Sequence, residues 1–320
     1  MGPSTHDTTR LVGDIGGTHT RLALFDPDSG ALRHLEVYDN REHGCLQDII
    51  AHWIEALPQA APSRCCLAIA APPFADEISM INIGWSFSVS SLQRRFGFAA
   101  LRCINDFVGN AYALPHLGAD DMTTLRPGEA AKREKVATVG PGTGLGGATL
   151  QFCGERPVVS ASEPGHMGLS PATALELDLF ARLLPRHGNI YAELLLSGPG
   201  LLRIYRTLAE IRGAPAELDK PAQVTDRALS GDCQLSRGAL DTFCGLLGSA
   251  CGDYVLATGS FGGLYLAGGI VPQFTRFLEQ SDFRQRFGAK GEMAAHMDKV
   301  PLHVITSGTA GLLGAGYAPL

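Results

Sequence analysis

Apolar residues form short continuous runs in some segments of the chain and recur at every third or fourth position in others. Segments 11–15, 20–25 and 64–70 are short and largely apolar, as expected for buried strands. Segment 45–57 instead repeats apolar residues at every third or fourth position and ends at Pro58, which predicts an amphipathic helix. Because strands and helices alternate along the chain, the pattern predicts an α/β fold.

The same criteria predict the remaining elements. Further strands are expected at 31–38, 78–83, 101–104, 135–139, 148–152, 263–267 and 302–306. Further helices are expected at 107–114, 172–184, 193–195, 201–211, 222–229, 235–256, 273–279 and 310–315. The helix at 235–256 is apolar on more than one face, which fits either a homodimer interface or burial within a monomer.

A sequence pattern occurs twice. VGDIGGT at 12–18 and VGPGTGLGG at 139–147 both lie between two apolar segments, so each half of the chain begins with a strand, a glycine-threonine turn and another strand. Two related α/β halves are therefore expected to face a shared interdomain cleft with these turns. The polar, Pro- and Gly-containing stretch 115–135 is the predicted boundary.

Composition narrows the class of protein. The 320 residues include 39 glycines, and 26 Lys plus Arg against 32 Asp plus Glu leave a net charge of −6, which argues against a nucleic-acid-binding surface. No stretch approaches the ~18 consecutive apolar residues of a membrane span, and the polar start has no signal-peptide core, so a cytoplasmic protein is expected. Eight cysteines without a C-x-x-C spacing predict reduced core thiols.

The second glycine cluster could belong to several kinds of site. Residues 142–147 fit G-x-G-x-x-G, but an apolar strand pattern follows where a dinucleotide-binding fold needs a helix, and no Gly-Lys-Ser/Thr is present. What remains is a hairpin turn, either an ordinary tight turn or one whose backbone N–H groups hold an anion. Its recurrence favours a polyphosphate site, where Asp14 would bind Mg²⁺; alternatively Asp14 caps its own turn.

Six motifs resemble, in this order, the bacterial glucokinase family of the actin/hexokinase/Hsp70 phosphotransferases. The resemblance runs from about residue 11 to residue 316. The motifs are DIGGTHTR at 14–21, NDF at 105–107, GPGTGLG at 140–146, EPGH at 163–166, LSGPG at 196–200 and AGGIVP at 267–272.

The resemblance implies a two-domain actin-like ATPase (ribonuclease H-like) fold with an interdomain cleft. Residues 1–115 plus 305–320 would form the small α/β domain, and residues 116–304 the large one. The implied reaction is ATP-dependent phosphorylation of D-glucose at O6. The residues implied to bind ATP are Asp14, Gly16, Gly17 and Thr18 in the first phosphate loop, Gly142, Thr143 and Gly144 in the second, and Gly268 and Gly269 at the nucleoside.

The transfer needs a carboxylate that removes the proton of the attacking hydroxyl. Asp106, between a predicted strand and a predicted helix, is our candidate base, although an Asp in that position is also a common helix N-cap. Asn105 beside it can donate to and accept from sugar hydroxyls.

Other sugar ligands are expected elsewhere in the chain. Glu163 and His166 suit a polyol, and no third ligand at a suitable spacing supports a metal pair there. The resemblance adds Glu193, which taken alone is a solvated helix residue, and Asn82 as further sugar ligands.

Two residues depart from the family pattern. The family usually has Asn at the position of His19 and Gly at that of Pro164. Both could alter sugar preference or turnover, because His19 adds bulk near the phosphates and Pro164 stiffens the sugar loop. Alternatives are therefore a fructose or mannose kinase, or a sugar-binding regulatory protein with weak or no kinase activity.

Overall fold

The computed structural model describes residues 8–80, 83–129 and 133–320. Its strands are β1 Arg10–Ile15, β2 His19–Phe25, β3 Leu32–Asp39, β4 Arg64–Ile69, β5 Glu77–Met80, β6 Trp85–Ser88, β7 Ala100–Asn105, β8 Met122–Arg126, β9 Val136–Pro141, β10 Leu145–Cys153, β11 Arg156–Ser162, β12 Gly263–Leu266 and β13 Leu302–Ile305. Its helices are α1 Leu46–Glu55, α2 Val89–Phe96, α3 Asp106–Ala113, α4 Ala174–His187, α5 Ala192–Leu195, α6 Gly198–Arg212, α7 Pro221–Ser230, α8 Gln234–Thr258, α9 Thr275–Gln280, α10 Phe283–Gly288, α11 Ala294–Met297 and α12 Ala310–Tyr317.

The chain divides into two compact units. The first unit comprises residues up to Gly118 together with Ser307–Leu320, and the second comprises Ala119–Thr306. Each unit contains one main sheet, and the α/β class predicted from the sequence is confirmed.

The two main sheets share one topology. In the first unit the strand order is β3-β2-β1-β4-β7, with β1 antiparallel to β2 and parallel to β4. In the second unit the order is β11-β10-β9-β12-β13-β8, with β9 antiparallel to β10 and parallel to β12. The repeat seen in the sequence is therefore matched by a repeat of strand pairing, with β8 added antiparallel at one edge.

In the first unit, glycines let the last helix lie close to its neighbours. Helix α12 packs against α3 and β1. A Cβ at Gly314 would overlap the carbonyl oxygen of Gly109, and a Cβ at Gly109 would lie 3.0 Å from the Cβ of Ala68. The backbones of α3 and α12 are thus in direct contact. The other face of the sheet carries a second core around Leu46, Ile50 and Trp53 of α1.

The core of the second unit surrounds α8. This helix packs on α6, α7 and α10, and its residues Phe243, Leu247 and Cys251 are completely buried. Contacts within the unit thus account for apolar residues on more than one face of the helix. A homodimer through this helix stays a prediction.

Several details differ from the sequence prediction. Of the strand expected at 78–83, residues 78–80 lie in β5 and residues 81 and 82 lie outside the described residues. Strand β5 forms a hairpin with β6, which was not predicted. Helices α2 and α10 and strands β8 and β11 were also missed, because their apolar residues are few or interrupted by charges. The helix expected at 273–279 is a 3-10 turn, Val271–Phe274, followed by α9.

The cysteines are unpaired. Cys65, Cys66, Cys244 and Cys251 are buried, whereas Cys153 is exposed and is therefore not the core thiol that the sequence suggested. None of the helices in the described residues combines the length and apolar character that a membrane span requires.

Candidate active site

In the first unit, the first glycine turn joins β1 to β2. The Gly16 amide donates to the carbonyl of His19 at 3.0 Å, and the side chains of Thr18 and His19 are exposed. Gly16, Gly17 and Thr18, the predicted phosphate-loop residues, therefore form a tight turn. His19 is one of the two departures from the family pattern, and because its side chain is exposed, its larger size displaces only solvent.

Asn40 holds this turn from the end of β3. Its backbone N–H donates to the carbonyl of Thr18 and its Nδ2 to the carbonyl of Gly16, each at 2.9 Å. Its Oδ1 accepts the Thr20 hydroxyl proton at 2.8 Å, and both side chains are buried. Sequence reasoning missed Asn40, because an Asn within the polar run 39–42 is typical of an exposed turn.

Asp14 lies at the carboxyl end of β1, beside the turn. Its cross-strand neighbour is Arg21, whose Nη1 is 3.4 Å from Oδ2. A Cβ at Gly311 would lie 2.9 Å from the Asp14 carboxyl carbon, so α12 packs directly against this group. Burial raises the pKa of Asp14, and the charge of Arg21 opposes that rise.

Asp106 is the first residue of α3, immediately after β7. Helix α3 is capped by Asn105, whose Oδ1 accepts from the amides of Phe107 at 2.9 Å and Val108 at 3.4 Å. The alternative that Asp106 is the N-cap is therefore wrong. Burial, and next the negative charge of Asp14, raise the pKa of Asp106 to about 7.

The sheet explains why these groups meet. Strands β1, β4 and β7 are parallel and in register, so Ile15 pairs with Ile69 and Ile69 pairs with Asn105. Asp14 and Asp106 thus occupy the carboxyl ends of parallel strands, where open α/β sheets bind ligands. A carboxyl group with a pKa near neutrality in this position is suited to accept a proton.

In the second unit, the second glycine turn joins β9 to β10. The Gly142 amide donates to the carbonyl of Gly144 at 2.7 Å, and the Gly198 amide donates to the carbonyl of Gly142 at 2.8 Å. Thr143 at the tip is exposed. The amino end of α6 therefore anchors the turn that carries the predicted second phosphate loop.

Gly268 lies beside the base of this turn. Its φ is +87°, and a Cβ would lie 2.8 Å from the carbonyl oxygen of Pro141. Both the backbone conformation and the lack of space therefore exclude a side chain at this position. Gly269 is exposed, and its carbonyl accepts from Nε2 of Gln273 at 2.7 Å. The two glycines predicted to approach the nucleoside leave the backbone bare at the carboxyl end of β12.

Glu193 also contacts the second glycine turn. Its Oε2 accepts from the Leu145 amide at 2.9 Å, and a Cβ on Gly144 would overlap that oxygen. A Cβ on Gly165 would lie 3.2 Å from both Cβ and Oε2 of Glu193. The interpretation of Glu193 as a solvated helix residue is therefore wrong, since its carboxylate packs between two loops.

Glu163 directly precedes a 3-10 turn, Pro164–His166, of which His166 is the last residue, and both side chains are exposed. The centroid of the His166 ring lies 5.7 Å from that of Tyr191, which directly precedes α5. Gly165, between Glu163 and His166, lies against Glu193 and against the Leu145 carbonyl, so this loop packs beside α5 and the second glycine turn.

Pro164, the second departure from the family pattern, has a defined environment. It is buried, and a Cβ on Gly147 would lie 2.6 Å from its Cγ, so the ring occupies the space that this glycine leaves. The Gly147 carbonyl accepts the Ser162 hydroxyl proton at 3.1 Å, and Ser162 Oγ lies 2.5 Å from the Tyr254 hydroxyl. These contacts fix the loop that carries Glu163.

The structure describes no side chain for Asn82 and, among the described residues, no metal cluster at Asp14. Asn82, a predicted sugar ligand, lies outside the described residues. Among residues 8–80, 83–129 and 133–320, no group of three or more His, Cys, Asp or Glu side chains could hold a metal ion. A metal at Asp14 would therefore need most of its ligands from water or from a bound phosphate, which is how Mg²⁺ commonly binds.

Known proteins resemble this chain over nearly its whole length. The family model named Glucokinase matches residues 11–319. A glucokinase of Psychromonas ingrahamii is 40% identical over 306 residues, covering 96% of this chain and 95% of the relative. The crystal structure of a glucokinase from an Antarctic psychrotroph superposes with a TM-score of 0.87 at 36% identity and covers 97% of this chain and 98% of its own.

More distant structures share the fold. A Streptomyces griseus ROK family glucokinase, solved in complex with glucose and AMPPNP, has a TM-score of 0.65 at 18% identity and covers 96% of this chain and 98% of its own. The family match and the close relatives make this chain a sugar kinase. At the level of the close relatives, the chain belongs to the glucokinase family.

Proposed function

We propose that the protein transfers the γ-phosphoryl group of ATP to O6 of D-glucose, with Asp106 as the general base. A hexose hydroxyl is a poor nucleophile unless its proton leaves as the bond to phosphorus forms. The observation that carries the proposal is the place of Asp106, at the start of α3 and directly after the parallel strand β7; burial, and next the Asp14 charge, raise its pKa to about 7. At neutral pH the carboxylate is basic enough to take the proton and is still substantially ionised.

The remaining sugar contacts follow from the chemistry of four polar side chains, of which Glu163 and His166 are exposed and Glu193 and Asn105 are partly buried. Glu163 and Glu193 are acceptors for adjacent hydroxyls, His166 can donate or accept, and the Nδ2 of Asn105 is a donor. The Asn105 Oδ1 caps α3, so its amide group has a fixed orientation. Asn82 is proposed as a further ligand from the family resemblance alone.

For ATP, we assign the phosphates to the backbone of the two glycine turns. Gly16, Gly17 and Thr18 serve in one turn, and Gly142, Thr143 and Gly144 in the other. The Gly16 and Gly142 amides bond within their own turns, so the donors proposed for phosphate are the other N–H groups of the two turns and the Thr hydroxyls. Gly268 and Gly269 leave room for a nucleoside against the backbone.

Asp14 is the proposed residue for Mg²⁺. The donor set fits, because a carboxylate is a hard oxygen ligand and Mg²⁺ is commonly held by one or two carboxylates plus phosphate and water. When bound, Mg²⁺ supplies positive charge that stabilises the transferred phosphoryl group. Asp14 itself is held in place by Arg21 and by the packing of α12.

The direct test is a hexose panel with ATP and Mg²⁺, scored by ADP formation. We expect glucose to give the highest kcat/KM, in keeping with the glucokinase relatives. The relatives do not favour the alternatives, a fructose or mannose kinase or a regulatory protein. A higher kcat/KM for fructose or mannose would contradict the sugar assignment, and glucose binding without ADP formation would contradict the enzyme assignment. A cytoplasmic location is proposed with the activity.

A further inference from the structure

Glu193 has two carboxylate oxygens in different situations. Oε2 accepts from the Leu145 amide at 2.9 Å and packs against the backbone of Gly144. The structure gives Oε1 no hydrogen-bond partner among the described residues, and it remains available to a ligand. One side chain therefore contacts the glycine turn and keeps a free acceptor.

The backbone that carries Glu193 is firmly held. The Ser197 hydroxyl donates to the Glu193 carbonyl at 2.9 Å and accepts from the Gly200 amide at 3.1 Å. The Arg203 guanidinium donates to the carbonyl of the next residue, Leu194. Because α5 is fixed to α6 in this way, the bond from the Leu145 amide to Glu193 is a second attachment of the turn, beside the bond from the Gly198 amide to the Gly142 carbonyl.

We propose that Glu193 serves both substrates. Oε2 holds the second glycine turn in the shape that binds ATP phosphates, and Oε1 accepts a hydrogen bond from a sugar hydroxyl. This inference rests on the proposed function. Toward ATP, Glu193 is a positioning residue, since it acts through the Leu145 amide. Sugar bound at Oε1 would also restrict the side chain, so glucose should tighten nucleotide binding.

The test measures the Kd of AMPPNP, with Mg²⁺ and without sugar, by calorimetry on the full-length protein. For Glu193→Ala we expect binding weaker by about tenfold, because a hydrogen bond to a charged acceptor is lost. Glu193→Gln retains a carbonyl oxygen for the Leu145 amide, so its Kd should stay within about threefold of the wild-type value.

Sugar binding supplies the second readout. Glu193→Gln should raise the Kd for glucose by about tenfold, because a neutral acceptor bonds a hydroxyl less strongly than a carboxylate does. Glu163→Gln is the matched control: it removes the same charge from a predicted sugar ligand without a hydrogen bond to the turn. It should weaken glucose binding and leave the Kd of AMPPNP unchanged.

The outcomes separate the inference from the proposed function. Wild-type affinity for AMPPNP in Glu193→Ala would overturn the inference, as would an equal loss in Glu193→Gln and Glu193→Ala. Thermal unfolding of each variant checks that the comparison is between folded proteins, and Glu193→Gln retains the size of the native side chain. A wild-type protein that binds AMPPNP but does not phosphorylate glucose would refute the proposed function, and the Ala variant would still decide whether Glu193 holds the turn.

Discussion

The ionisation of Asp106 makes a prediction about pH. Only the carboxylate form can accept the proton of the sugar hydroxyl, so kcat/KM for glucose should follow its ionised fraction. With a pKa of about 7, that fraction is roughly one half at pH 7 and one tenth at pH 6. Activity should therefore fall about tenfold for each pH unit below 6, whereas an ordinary Asp would remain ionised throughout this range.

The perturbation that tests the cause is Asp14→Asn. The charge of Asp14 raises the pKa of Asp106, second to burial, so its removal should move the acid limb of the profile to lower pH. Burial remains, so the limb should stay above the pKa of an exposed Asp. The control is Asp28→Asn, which removes a charge from an exposed turn of the same unit.

The assay is a pH series of kcat/KM for glucose at saturating ATP and Mg²⁺. For Asp14→Asn the limb is read from the pH dependence of the Kd of glucose without ATP and Mg²⁺, because Asp14 is also the proposed Mg²⁺ residue and a bound cation would offset its charge. A wild-type profile that stays flat from pH 8 to pH 5 would refute the assignment of Asp106. An unchanged limb in Asp14→Asn would refute the coupling of the two carboxylates.

Two further predictions concern side chains outside the chemistry. Arg286→Ala should lower the free energy of unfolding by about 3–5 kcal/mol in chemical denaturation, because it leaves buried Glu176 without its bidentate partner. The control is Arg186→Ala, which breaks an exposed pair with Glu210 and should lower it by about 0–1 kcal/mol. Equal losses of stability in the two variants would contradict the reasoning. Asn40→Ala should raise KM for ATP roughly fivefold and leave KM for glucose unchanged, because the lost side-chain hydrogen bonds stabilise the first glycine turn by about 1 kcal/mol. A folded variant with the wild-type KM for ATP would show that Asn40 does not position the turn.

The sequence predicted best those elements whose structure is determined by the residues of the element itself. Strands β1, β2 and β4 are short apolar runs, which indicate buried strands directly. The glycine-rich segments indicate turns, because glycine adopts backbone conformations that other residues rarely adopt. The repeated strand-turn-strand pattern predicted the pairs β1–β2 and β9–β10, because a tight turn between two strands pairs them antiparallel. The parallel neighbours β4 and β12 complete the repeat and did not follow from that pattern.

Other features depended on contacts distant in sequence. The capping of α3 by Asn105 and not Asp106 is a difference of one residue, which propensity alone does not resolve. Glu193 has the sequence context of a surface helix, and its contact with Leu145 joins residues 48 positions apart. Asn40 likewise reaches back 24 residues to Gly16, and no local signal marks it.

Phosphoryl transfer depends most on Asp106 as the base, and Asp106→Asn tests this role most directly. Asn fits the same space and can still cap or bond locally, but it cannot take up a proton at neutral pH. We predict that the variant binds glucose by calorimetry with an affinity within about threefold of wild type, and that kcat falls by about 10²–10⁴-fold. A variant that retains the wild-type kcat would contradict the mechanism.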